Sequence, residues 1–106
     1  MVKSTYLLRY DPVVLAHVAA LPKKFHRLIQ KEIEAQLLHE PLVETKNRKP
    51  LRQPAAFAAA WELRLGPNNV IRVFYRASSK NRLVRILAVG EKRGERLYIA
   101  GEEFEL

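Results

Sequence analysis

Residues 61–89, WELRLGPNNVIRVFYRASSKNRLVRILAV, decide the fold. Polar and apolar residues alternate at 61–65, as they do in a half-buried strand. Residues 70–77 and 82–89 are apolar on both faces apart from their arginines, which is typical of central strands. The segments between them, GPNN at 66–69 and SSKN at 78–81, are rich in turn-forming residues. Because short connections join antiparallel neighbours, this stretch predicts a three-stranded antiparallel meander.

The residues before the meander predict one further strand and two helices. A strand over 5–9 ends at Asp11-Pro12, and this pair favours a helix start because proline at the first helical position loses only an unpaired N–H. The first helix then spans 12–20, Leu21-Pro22 ends it, and a second helix begins near Lys23. The second helix has an apolar stripe at three- and four-residue spacing, formed by Phe25, Leu28, Ile29, Ile33 and Leu37 with Gln36.

The remaining segments show no strong periodicity. Residues 40–54 contain three prolines and predict a loop, and residues 91–96 predict a charged loop or a turn of helix. Residues 102–106 form an acidic tail that is either solvated or folded beside a basic surface. The predicted fold is therefore α+β, a single domain over 1–106. An N-terminal strand, a helical hairpin and a three-stranded antiparallel meander form one sheet with the helices on one face.

The positive charge is concentrated in one half of the chain. Residues 46–96 hold thirteen Lys or Arg against three Glu, whereas the other 55 residues carry six basic and eight acidic groups. Four of the arginines lie on the predicted strands: Arg64, Arg72, Arg76 and Arg85. Arginines on adjacent strands form a rigid cationic surface that suits a polyanion. The pattern predicts nucleic acid as the first partner, RNA in particular, and a neutralising acidic protein as the second.

Composition excludes several other classes of protein. A hydrophobic content of 48% is typical of a globular chain, and the absence of cysteine excludes disulfides and favours a reducing compartment. No apolar run approaches the length of a membrane span, and the N-terminus lacks the apolar stretch of a signal peptide. These features predict a cytoplasmic protein that does not contact membranes.

Metal and cofactor sites are not predicted. His17, His26 and His39 are spaced too widely for a metal site, and each is expected to be a surface or boundary residue. The basic half offers only three carboxylates, which do not form the cluster that a metal-dependent nuclease needs. The four glycines are not clustered, so no phosphate-cradling loop is present.

What remains is a cationic site with a few groups that can carry protons. Metal-free RNA cleavage needs a base for the 2′-OH, an acid for the leaving oxygen and positive charge at the transition state, and the charge is often the largest contribution. The candidate catalytic residues are Arg64, Arg72, Lys92 and Arg93 for charge, Tyr98 for a proton and Glu62 for the base. Spacing alone leaves structural roles open: Tyr98 as a half-buried aromatic, Glu62 as an ion-pair partner and Trp61 as a core residue.

Further basic residues are candidates for binding RNA without taking part in the chemistry. Four lie in the predicted 40–54 loop and two on strands: Lys46, Arg48, Lys49, Arg52, Arg76 and Arg85. Phosphate contacts of this kind add affinity that depends on salt but not on sequence.

Four short motifs, in order, resemble those of the RelE/ParE superfamily of bacterial type II toxins. They are KPL at 49–51, AWELRL at 60–65, VIRVFYR at 70–76 and ILAVGEKR at 86–93, followed by Tyr98. With the N-terminal strand and the helical hairpin, the resemblance covers essentially the whole chain and implies the fold predicted above.

For a RelE-like member, the resemblance implies a toxin that enters the ribosomal A site and cleaves mRNA without a metal. The positions that match the basic residues and the C-terminal tyrosine are Arg64, Arg72, Lys92 or Arg93, and Tyr98. Arg72 matches the arginine that the resemblance implies as the ligand of the scissile phosphate. Glu62 stands where some of the ribonucleases have lysine, so the resemblance does not identify the base.

The same resemblance leaves a second function open. ParE-like members share the fold but inhibit DNA gyrase without cutting RNA, and they tend to lack this basic set. Both alternatives imply an acidic antitoxin as partner, and only the first implies the ribosome and mRNA. The presence of Arg64, Arg72, Lys92 or Arg93, and Tyr98 favours the ribonuclease.

Overall fold

The structure, a computed structural model, describes residues 5–104. Within this range a seven-stranded sheet carries two α-helices. The strands are β1 (Leu7–Tyr10), β2 (Arg48–Pro50), β3 (Trp61–Leu65), β4 (Ile71–Ser78), β5 (Leu83–Arg93), β6 (Arg96–Ile99) and β7 (Glu102–Phe104). The helices are α1 (Val13–Ala19) and α2 (His26–Leu37), and short 3₁₀ turns cover Lys23–Phe25, Ala56–Ala58 and Pro67–Asn69.

The sheet confirms the predicted meander and extends it. The strand order is β2-β3-β4-β5-β6-β7, with antiparallel pairing throughout, and β1 pairs with β5 in parallel. The register of β4 against β5 shifts between Phe74 and Tyr75, so Tyr75 pairs with Ile86 and Leu87 of β5 is the bulged residue without a partner on β4. The α+β class, the helical hairpin and strands β1, β3, β4 and β5 match the sequence predictions.

Three predictions about the irregular segments were wrong in part. The 40–54 loop contains β2, which pairs with β3. Residues 91–96 are not a loop or a turn of helix, because β5 continues to Arg93 and β6 begins at Arg96 after a turn at Gly94. The tail forms β7 over Glu102–Phe104, and residues 105 and 106 lie outside the described range.

The start of α1 follows the chemistry that the sequence indicated. Oδ1 of Asp11 accepts a hydrogen bond of 3.2 Å from the Val13 N–H, and Pro12 already has helical dihedrals. A side-chain oxygen satisfies one of the N–H groups that the first turn leaves unpaired. Asp11 therefore caps the helix and fixes where the chain turns away from β1.

Both helices pack on one face of the sheet, called the helix face below. The buried residues of this core come from both helices and the central strands, and include Val14, Ile29, Ile33, Leu37, Leu63, Val73, Tyr75 and Ile86. Trp61 stacks on Tyr75 with ring centroids 6.3 Å apart, so its predicted core role is confirmed. No helix within residues 5–104 is long and apolar enough to cross a membrane.

The opposite face of the sheet, called the far face, carries a second and smaller apolar cluster. Its buried residues are Ala59, Phe74, Ala88, Leu97 and Ile99, with Phe57 and Phe104 packed against them. The segment before β3 and the β6–β7 hairpin supply most of this cluster, so they cover the middle of the far face. Polar residues occupy the ends of that face, where the candidate site lies.

His17 of α1 closes a gap at the edge of β5. β1 pairs with β5 over residues 83–86 and β6 pairs over 91–93, so no strand of the described residues 5–104 lies beside the middle of that edge. Nδ1 of His17 accepts a hydrogen bond of 3.2 Å from the Val89 N–H in this gap. Burial lowers the pKa of His17, and the Asp11 carboxylate partly offsets this effect. The folded state therefore favours the neutral ring.

We expect the free energy of unfolding to fall as the pH drops through the usual histidine range. The unfolded chain binds a proton at His17 near pH 6.5 and the folded chain binds it only at lower pH, so stability rises with pH between these values, by at most about 1.4 kcal/mol per unit. Urea unfolding at about pH 5.5 and about pH 7.5 measures the effect. His17→Asn keeps an acceptor and should remove this component, whereas exposed His39→Asn should not. Equal pH dependence in parent and His17→Asn would contradict the assignment.

Candidate functional site

Three of the predicted catalytic residues meet on the far face. Arg64 of β3 and Arg72 of β4 lie directly opposite each other in the sheet register. Oε1 of Glu62 is 2.8 Å from Arg64 Nε and 3.3 Å from Arg72 Nη1. One carboxylate oxygen therefore contacts both guanidiniums, and these three residues are called the Glu62 cluster below.

Burial makes the Glu62 cluster rigid. Glu62 is 3% exposed and Arg72 is 8% exposed, and Nε of Arg72 donates to the Asn69 carbonyl at 2.8 Å. Arg72 therefore does not belong to the cationic surface that the sequence predicted for the strand arginines, because the turn before β4 and Glu62 enclose its guanidinium. Arg64 has 35% of its side chain exposed, so it is the member that solvent or a ligand can reach.

Glu62 occupies the position of a counter-ion. Like charges placed directly opposite in a sheet destabilise it, and a carboxylate between Arg64 and Arg72 removes that cost. The geometry agrees with the ion-pair role that the sequence left open for Glu62. Its role as a base stays a prediction.

The other candidates divide between the two faces. The register pairs Ile71 with Glu91 and Glu91 with Tyr98, and Ile71 belongs to the helix-face core. Side chains alternate along a strand, so Tyr98 and Arg93 share that side, whereas Lys92 shares the far face with the Glu62 cluster. Arg93 lies over the Tyr98 ring at 4.8 Å and pairs with Glu91 at 2.9 Å. Lys92 is thus brought toward the cluster, and Tyr98 and Arg93 form a separate group.

The predicted RNA-binding residues differ in exposure. Arg48 is 7% exposed, donates to the Gln36 carbonyl at 2.7 Å and to the Val43 carbonyl at 3.0 Å, and lies 3.8 Å from Glu40. Arg48 therefore joins the end of α2 to the following loop, and its role as an RNA contact stays a prediction. Lys49 pairs with exposed Glu44 at 3.4 Å. The residues left exposed are Lys46, Arg52, Arg76 and Arg85.

Within the described residues, no group of three or more His, Asp or Glu side chains is arranged to hold a metal ion. The sequence predicted a surface or boundary position for each histidine, but His17 is buried and accepts a hydrogen bond from the Val89 N–H. His26 Nε2 lies 2.9 Å from the Leu21 carbonyl at the start of α2.

Comparison with known proteins identifies the fold. No protein-family model matches the chain, and no curated protein matches it in sequence. A chain of the toxin–antitoxin complex RelBE2 from Mycobacterium tuberculosis matches with a TM-score of 0.66 and 25% identity, over 83% of this chain and 99% of that one. The archaeal RelE–RelB complex from Pyrococcus horikoshii matches with a TM-score of 0.58 and 26% identity, over 85% and 97%. This chain has the RelE-like toxin fold.

A third solved structure agrees at the level of the fold. The isolated RelE toxin of E. coli matches with a TM-score of 0.55 and 18% identity, over 85% of the RelE-like chain and 88% of that chain.

Sequence reasoning missed one exposed cation on the far face, Arg9. In the parallel register Arg9 lies directly beside Arg85. The sequence shows Arg9 on a predicted strand, but it does not show which strand lies next to it. Alternation of Leu8 and Arg9 was the available signal, since it places Arg9 away from the helices.

Proposed function

We propose that this chain is the toxin of a toxin–antitoxin pair and that it cleaves mRNA on the ribosome without a metal ion. The RelE-like fold supports the toxin. The Glu62 cluster supports the cleavage, because two arginines lie directly opposite each other on a rigid sheet and one of them remains accessible. This pair is the observation that carries the proposal.

The cluster suits a phosphoryl group that gains charge. In the proposed reaction the 2′-oxygen bonds to phosphorus, the bond from phosphorus to the 5′-oxygen breaks, and the 2′-OH proton leaves as the 5′-oxygen gains one. Fixed cations aimed at the developing charge lower the barrier, since they need no reorganisation. Arg72 is held by Glu62 and the Asn69 carbonyl, and Arg64 presents its guanidinium at the surface. Lys92 adds charge from the neighbouring strand.

The partner proposed for the resting state is an acidic antitoxin. The chain has a formal net charge of +8, and two of the matched structures are complexes of a toxin with its antitoxin. An acidic segment over the cationic far face would block access to Arg64. The proposed site of action is the ribosome, which places the protein in the cytoplasm.

Loss of Arg64 tests the proposed chemistry. We expect Arg64→Gln to lower single-turnover mRNA cleavage on programmed ribosomes by about 100-fold or more, the usual effect of removing one donor to a developing oxyanion. Arg96→Gln is the matched control, since it also removes a strand arginine but on the other side of the sheet. Both variants should melt close to the parent, because both side chains are partly exposed.

Two results would contradict the proposed nuclease activity. An Arg64→Gln variant that cleaves mRNA at the parent's rate would show that the Glu62 cluster takes no part in the reaction. Intact mRNA in growth-arrested cells, together with a loss of DNA supercoiling, would favour the alternative of a gyrase inhibitor on the same fold.

A further inference from the structure

Three adjacent arginines on the far face lack the carboxylate that the other strand arginines have. Eight arginines lie on strands within residues 5–104, and five of them pair with Glu. The other three have no ion pair with a described carboxylate, and they are Arg9, Arg76 and Arg85. These three are called the arginine row below.

The register places the arginine row side by side across three strands. Arg85 of β5 lies opposite Arg76 of β4 on one side and beside Arg9 of β1 on the other. Neighbouring strands are about 4.8 Å apart, so the row forms a compact band of charge. Val84 and Ile86 point into the helix-face core, so Arg85 points to the far face, and all three arginines are exposed.

The arginine row has an energetic cost that nothing within it offsets. Like charges placed directly opposite in a sheet destabilise it. Arg64 and Arg72 have the same arrangement at the other end of the far face, and there Glu62 lies between them. The sheet thus holds two opposed arginine groups, one with an internal counter-ion and one without. A bound anion would supply the missing charge.

The surroundings of the arginine row suit such an anion. Arg9 and Arg85 line the same surface depression, with a volume of about 370 Å³. Asp11 also lines it, but its Oδ1 accepts the Val13 N–H at the start of α1, so this carboxylate stabilises the helix. Arg76 Nη1 donates to the Ala58 carbonyl at 2.6 Å, so the third guanidinium of the row is held in place on the far face.

We propose that Arg9, Arg76 and Arg85 form a second phosphate-binding site, which holds the backbone of the RNA whose cleavage is assigned to the Glu62 cluster. This inference rests on the proposed function. Four residues along β4 separate Arg76 from Arg72, or about 13 Å. A single RNA strand can span that distance, passing the Phe57 and Phe104 side chains of the apolar cluster between the two sites.

A binding experiment with a non-cleavable RNA tests the arginine row. The probe is a short single-stranded 2′-O-methyl RNA, which cannot form the 2′-oxyanion, and fluorescence anisotropy is measured over a salt series. We expect Arg9→Gln/Arg85→Gln to reduce the slope of log K against log salt by about 1.4, because two phosphate contacts are lost. Arg27→Gln/Lys31→Gln removes the same charge from exposed positions of α2, on the other side of the sheet, and should change the slope far less.

The possible outcomes separate this inference from the proposed function. Equal slopes for the two double variants would contradict the proposal that the arginine row binds phosphate. A parent protein that does not bind the probe would contradict it as well. A parent protein that binds the probe but leaves mRNA uncut on ribosomes would contradict the proposed nuclease activity. The proposal that the arginine row binds phosphate would be unaffected. In the cleavage assay, Arg9→Gln/Arg85→Gln should need a higher protein concentration to reach the parent's maximal rate.

Discussion

Replacing Glu62 with alanine is expected to lower the free energy of unfolding by about 3 kcal/mol, the usual result of removing one partner from a buried ion pair. The change leaves Arg72 buried without its carboxylate and directly opposite Arg64. Both the lost attraction and the new repulsion act against the folded state. A protein of this size has a total stability of about 5–15 kcal/mol, so the loss is a large part of it. Urea denaturation measures the difference.

Two further variants show that the effect comes from burial. Glu103→Ala removes the partner of Arg96 in an exposed pair, and it should cost less than about 1 kcal/mol. Glu62→Leu combined with Arg72→Met removes both charges from the interior and should recover part of the loss, since apolar residues often replace a buried pair without penalty. If Glu62→Ala were no more costly than Glu103→Ala, the Glu62 cluster would not be a buried network.

Replacing Gly90 with alanine is expected to destabilise the fold by about 3 kcal/mol, the upper end of what overpacking usually costs. A Cβ at this position would lie 2.7 Å from the Tyr98 carbonyl oxygen and 2.7 Å from Ile99 Cγ1. One of these atoms belongs to the backbone of β6, so the hairpin itself would have to move. Thermal and urea unfolding both report the change.

Gly94→Ala provides the comparison. Gly94 lies in the β5–β6 turn with φ at +63°, and a Cβ added there would have no heavy atom within 4 Å beyond its chain neighbours. Its substitution should cost about 1 kcal/mol from the left-handed backbone alone. Equal costs at Gly90 and Gly94 would mean that backbone conformation, and not the close approach of β6, explains why glycine occupies position 90.

The parts of the fold that the sequence predicted are those with local signals. Strand β3 alternates cleanly, and the turns around β4 contain Gly-Pro-Asn-Asn and Ser-Ser-Lys-Asn. Strands β2, β6 and β7 contain three or four residues each, which is too short for a period to show. Each of them exists because a neighbouring strand supplies the hydrogen bonds. Hence the sequence predicted loops or a tail where the structure has short strands.

The candidate site also has features that the sequence predicted and features that only the structure shows. The identities of Arg64 and Arg72 were visible in the sequence, but the burial of Arg72 depends on the Asn69 carbonyl and on Glu62. Arg48 looked like a loop cation, and only the end of α2 shows that it is structural. Arg9 meets Arg85 through a parallel pairing, and parallel register over a long crossover has no local signature in the chain.

The short edge strands also bear on solubility and on how a partner can attach. The sheet ends in β2 on one side and in β1 and β7 on the other, and within residues 5–104 each has only three or four residues. β2 ends in Pro50, which has no N–H to donate, and β7 begins with two glutamates. Such edges offer little template for aggregation, whereas the long strands β4 and β5 are paired inside the sheet. A protein that docks by adding a strand would gain a short ladder at any one edge, so most of its affinity has to come from side-chain contacts.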